Sequence, residues 1–146
     1  MTTAQRLAVI ELLRAREFPA ARGPSEVGTS GPGYHLAELA HGDGFLEVDD
    51  GTRRIEDADQ LGAEHTALTE ILTVRYGEPD HLSLWSLRIR GGEGEEIPEP
   101  WRELSDGPRF LHLWRIEGRW LALGLAGDDG EQPMRLIAAV TEIDPP

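Results

Sequence analysis

Apolar positions recur at helical spacing twice in this chain and at strand spacing in its last third. Leu7, Ile10 and Leu13, with Val9 beside them, form a stripe that predicts an N-terminal helix capped by Thr3. The second stripe is stronger. Leu61, His65, Leu68, Ile71, Leu72 and Tyr76 share one helical face, and the pair Asp57 and Gln60 reads as a cap. Asp57 and Asp59 suit the positive end of a helix dipole, and Gly77 with Pro79 stops the run, which predicts a helix over Asp57 to Tyr76.

The clearest feature is a β-hairpin from Arg109 to Leu125. A two-residue turn at Glu117-Gly118 pairs Ile116 with Arg119, Trp114 with Leu121, His112 with Leu123 and Phe110 with Leu125 on one face. The opposite face pairs Arg115 with Trp120, Leu113 with Ala122 and Leu111 with Gly124. Both faces are apolar. One is therefore expected against the long helix and the other against the N-terminal segment or a partner. Met134 to Ile143 predicts a third antiparallel strand, with a helix as the competing reading.

His81 to Arg90, with Leu82 and Leu84 on one face and Trp85, Leu87 and Ile89 on the other, reads as a strand inside the sheet. Phe45 to Val48 and Thr52 to Ile55 flank Asp50-Gly51 and predict a small hairpin. Residues 19–44 are rich in Gly and Pro and are expected to be flexible, broken by a short element near Tyr34 to Ala40. Gly91 to Pro108 is acidic and loop-like, with Pro100 placed to open a short helix that carries Trp101 and Leu104 inward. The pattern as a whole predicts α+β: a single domain over residues 1–146, with a mainly antiparallel β-sheet packed against one long helix plus an N-terminal helix.

Composition narrows the chemistry. With 39% hydrophobic and 28% charged residues in 146, the chain is of ordinary globular make-up, and no apolar run approaches the ~20 residues of a transmembrane helix. Arg6, Glu11 and Arg14 interrupt what would be a secretory leader, so a cytoplasmic protein is expected. Cysteine is absent, which removes disulfides, thiolate metal sites and cysteine nucleophiles. Lysine and asparagine are absent too, so all 14 basic residues are arginines, the imprint of a GC-rich genome, and no Schiff-base or P-loop lysine exists. The formal charge of −13 disfavours nucleic acid and favours a partner protein with a basic surface.

His35, His41 and Asp43 are of metal-ligand type but fit no established ligand spacing, and Asp128, Asp129 and Glu131 lack the order of a calcium loop, so no metal and no cofactor is expected. His65 and His112 lie on apolar faces, where an imidazole is more often structural than catalytic. No nucleophile elbow, dinucleotide fingerprint or zincin motif occurs. The residues expected to carry binding are the acids of two loops, Glu95, Glu96 and Glu99, and Asp128, Asp129 and Glu131, together with Trp120. The alternative is a small enzyme or ligand-binding domain with a pocket lined by His35, His41, Asp43 or His65. A homodimer formed through a hairpin face or an open sheet edge is the third expectation.

The segment LHLWRIEGRWLALGLAGDDGEQP, Leu111 to Pro133, with LTVRYGEP at Leu72 to Pro79, resembles a group of small acidic actinobacterial proteins of no assigned function. They share an L-W-R-x-x-G-R-W-x-A-L-G hairpin followed by an acidic turn. The layout is also similar, more loosely, to acidic immunity proteins that neutralise bacterial toxins and to secretion chaperones. That likeness implies a non-catalytic protein that holds another protein.

Overall fold

The structure is a computed structural model that describes residues 1–42, 52–127 and 133–146, the side chains of residues 52–54 excepted. Helix α1 spans Thr3–Ala15. Its cap is Thr2, one residue earlier than predicted. The Thr2 hydroxyl accepts from the Gln5 amide at 3.1 Å while the Gln5 side chain accepts from the Thr2 amide at 2.7 Å, so two otherwise unpaired donors are satisfied. Ile10 and Leu13 then turn inward with Arg6.

The short element expected near Tyr34 to Ala40 is strand β3 (Tyr34–His41), and the Gly- and Pro-rich run before it, expected as loop, supplies two more strands, β1 (Gly23–Pro24) and β2 (Gly28–Gly31). Its glycines serve close approach. A β-carbon on Gly28 would lie 2.2 Å from the Leu36 carbonyl oxygen across the β2–β3 pair, and Gly33 takes φ +84° in the turn between them. Helix α2, Thr52–Tyr76, begins five residues before Asp57, so Thr52 to Ile55 form its first turn and not a hairpin strand. Ile55 is exposed there, which leaves no buried face to hold that run in a sheet. Phe45 to Val48 and Asp50-Gly51 lie outside the described residues. Gly77, at φ +95°, ends the helix as predicted, its amide bonded to the Thr73 carbonyl.

The predicted strand His81 to Arg90 divides into an edge strand β4, Asp80–Ser83, and a helix α3, Trp85–Gly92. The reason lies in Leu84 and Leu87, each 1% exposed. A strand would send residues three apart to opposite faces, whereas a helix brings both to one side and turns Trp85 and Ile89 outward. Pro100 opens α4, Trp101–Ser105, with Trp101 and Leu104 buried as expected.

Strands β5 (Phe110–Ile116) and β6 (Arg119–Ala126) form the predicted hairpin, with Glu117 at φ 51° and Gly118 at φ 82° in its turn. The register matches the prediction from Ile116↔Arg119 to His112↔Leu123. Strand β7, Arg135–Thr141, pairs with β6 and settles the strand-or-helix alternative. The sheet is antiparallel throughout, ordered β1-β2-β3-β7-β6-β5-β4.

Both faces of the hairpin are covered by the chain itself. Helices α1 and α2 pack on one side, where Ile10, Leu13, Leu68 and Leu72 meet Trp114, Leu121, Leu123 and Val140. On the other, Leu84, Leu87, Trp101 and Leu104 from α3 and α4 meet Leu111, Leu113, Ala122 and Ala139. The second cover is thus α3 and α4, joined by Tyr34 from β3 and Ile143 from the C-terminal end. The result is α+β with helices on both faces of one sheet.

Candidate functional site

Helix α3 places two large apolar side chains in solvent one turn apart. Trp85 is 63% and Ile89 43% exposed, and Phe110, at the start of β5, is half exposed nearby in the β4–β5 pairing, where it sits opposite Ser83. Residues i and i+4 share a helix face, so Trp85 and Ile89 form one outward stripe. The chain leaves α3 directly into the acidic loop. Glu93, Glu95 and Glu96 are exposed, and Arg90 pairs with Glu95. Glu99 is half-buried and accepts from the Glu103 backbone amide at 3.2 Å, while Ile97 and Pro100 are buried and pin the loop to the core. Glu95 to Glu99 line, with Arg102, an open cleft of about 510 Å³.

Trp120 is engaged within the chain. Its indole N–H donates to Asp144 Oδ1 at 2.9 Å, and the Arg115 guanidinium lies 5.0 Å from its ring centre while donating to the same oxygen. The bond from Trp120, then that from Arg115, holds the Asp144 carboxyl below its ordinary range. Asp128, Asp129 and Glu131 lie outside the described residues. Trp85, read in the sequence as an inward strand residue, is instead the exposed tryptophan. The i, i+3 spacing of Leu84 and Leu87 fits a helix, but the same residues also fit a strand pattern, and their joint burial decides between the two.

The histidines considered for a pocket do not meet one another. His35 is buried in β3, where its Nδ1 accepts from the Ser30 hydroxyl at 2.7 Å, its Nε2 donates toward the Arg16 carbonyl at 3.3 Å, and its ring lies 4.9 Å from that of Phe18. Both nitrogens are used in a neutral ring, and burial pushes its pKa down. His41 stands at the far end of the same strand beside Glu38, on a cleft of about 640 Å³ that also takes in Arg6, Asp57 and Glu64. Asp43 lies outside the described residues.

His65 belongs to a different group, one the sequence reading did not assemble. Its ring, on α2, lies 5.1 Å from that of His112 on β5, and His112 lies 4.7 Å from His81 on β4. Phe110 and Trp114 flank His112 along β5, at 6.0 and 6.2 Å. The contacts run as a ladder with His112 in the middle, and among the described residues no three His, Cys, Asp or Glu side chains are placed to hold a metal ion. Compared with protein-family models, with curated proteins and with solved structures, the chain matches none, so its functional reading rests on geometry and charge. No described helix is long and apolar enough to cross a membrane.

Proposed function

We propose that this chain is a non-catalytic protein-binding domain that holds a partner with a basic surface, in the manner of an immunity protein, inhibitor or chaperone. The observation that carries the reading is the outward face of α3, where Trp85 and Ile89 are exposed beside Glu93, Glu95 and Glu96. Exposed aromatic and aliphatic anchors bordered by charge are the make-up of an interface core and rim. The net charge of −13 selects the sign of the partner. Trp85 supplies burial energy, Ile89 extends it along one helical face, and the carboxylates steer and orient a surface rich in Arg and Lys.

The test is a titration of Trp85 fluorescence with an amphipathic helical peptide bearing Leu on one face and Arg on the other. A Leu/Glu peptide of the same length is the control. The Arg peptide is expected to bind and the Glu peptide not to. Trp85→Ala is expected to weaken binding of the Arg peptide at least about tenfold, read by calorimetry, as hot-spot truncations do. The double change Glu95→Gln/Glu96→Gln is expected to weaken it more than Glu56→Gln/Asp59→Asn at two exposed positions of α2. Equal losses from the two pairs would reduce the binding to overall charge and overturn the assignment to this face.

A further inference from the structure

We infer that the His65–His112–His81 ladder is a proton-operated latch, which fastens the β4 edge of the sheet to α2 when its imidazoles are neutral and releases it when they are charged. The inference concerns the stability of one sheet edge and stands independently of the partner proposed above.

The geometry makes charge costly at this place. His112 is the middle rung, in register with His81 on β4 and with Leu123 on β6. Its Nδ1 is buried and has no hydrogen-bond partner. A neutral imidazole can leave that nitrogen as a bare lone pair, but an imidazolium needs acceptors for both of its N–H groups. Protonating His112 would therefore bury a donor with nothing to receive it, between Phe110 and Trp114. Charging His65 or His81 as well would set like charges about 5 Å apart, since the ring centres are 5.1 and 4.7 Å from His112.

No carboxylate among the described residues relieves this. On α2, Glu64 precedes His65 but turns to Arg6 at 3.0 Å. On β4, Asp80 alternates to the other side of the strand from His81. From β5 the neighbours are Phe110 and Trp114, and from β6 the neighbour is Leu123. Burial first, and then the neighbouring imidazole, lower the pKa of both His65 and His112. Strand β4 is the part that yields, because it is four residues long and, among the described residues, pairs with β5 alone. Residue Leu84 follows it directly into α3, so release of β4 loosens the start of that helix.

Hydrogen exchange of the intact chain tests the latch, with rates corrected for the intrinsic effect of pH. Between pH 7.5 and 5.5, protection of the β4 amides and the first turn of α3 is expected to fall at least about tenfold, the equivalent of one pKa unit. Amides of β2 and β3 are expected to fall less. His112→Phe keeps a ring of similar size, removes the central proton site and is expected to cut the fall at β4 below about threefold. Should that variant not fold, His81→Gln, at an exposed position, removes one neighbouring charge and is expected to raise the His112 pKa measured by NMR. Protection at β4 that does not change with pH, a fall equal across the whole sheet, or a full fall retained in His112→Phe would each overturn the latch. An unmoved His112 pKa in His81→Gln would do the same.

Discussion

At position 124 the sheet has no room for a β-carbon. One built on Gly124 would lie 2.7 Å from Leu111 Cδ2 and 2.9 Å from Pro108 Cγ, inside the layer that α3 and α4 cover. Gly124→Ala therefore forces either Leu111 out of its rotamer or the Pro108 turn away from β6, and the expected cost is about 1–3 kcal/mol in urea denaturation. Gly62 is the contrast. It sits within α2 with nothing within 4 Å of where a β-carbon would go. Gly62→Ala only restricts the unfolded chain and is expected to add about 0.5–1 kcal/mol. Equal effects at the two sites would contradict this packing.

At the scale of elements, α1, α2 and β3 are joined through one half-hidden ion pair. Arg6 Nη2 lies 3.0 Å from Glu64 Oε1, its Nε donates to the Leu39 carbonyl at 3.2 Å, and the two side chains are 8% and 16% exposed. Glu64→Gln leaves the guanidinium buried without its counter-charge. The expected loss is about 2–3 kcal/mol, below the figure for a fully buried pair because the Glu64 side chain keeps partial exposure. A loss under about 0.5 kcal/mol would place this pair with surface salt bridges.

The elements also differ in how readable they were. The β5–β6 hairpin was legible because both strands alternate around a Glu-Gly turn, so local pattern and tertiary pairing agree. Helix α3 was not, because Leu82, Leu84, Trp85, Leu87 and Ile89 satisfy a strand pattern and a helical one at once. Only the burial of Leu84 and Leu87 together decides between them. The histidine ladder was beyond reach for another reason. His65, His81 and His112 are separated by 16 and 31 residues in the sequence, and they meet only because β4 pairs with β5 and α2 crosses above. No local pattern encodes that pairing.

For the whole molecule, the shifted groups predict a stability that acid removes in two stages. His35, His65 and His112 are held below the ordinary imidazole value of 6.5, in each case chiefly by burial. The unfolded chain thus takes up these protons first, so their contribution is complete above about pH 6.5 and is lost as pH falls toward the folded values. Glu11 follows the carboxylate rule. Burial would raise its pKa, but hydrogen bonds from Tyr76 and Arg14 hold it below the ordinary 4.5. With Asp144 lowered from 3.8 by Trp120 and Arg115, its contribution disappears only in the second stage, at more acidic pH. Net charge pulls the other way, since protonation relieves the mutual repulsion of a −13 surface. At 0.15 M salt the screening length is about 8 Å, which weakens repulsion between exposed carboxylates far more than it eases the desolvation of buried imidazoles. Urea melts at that ionic strength are therefore expected to show stability level from pH 8 to about 6.5, falling between 6.5 and 5, and falling again below about 4. His112→Phe is expected to make the first fall shallower, with His35 and His65 still contributing to it, and to leave the second. A curve that rises from pH 8 to 5 would mean that surface repulsion outweighs the buried histidines, and that the −13 charge, not the interior, sets the acid response of this fold.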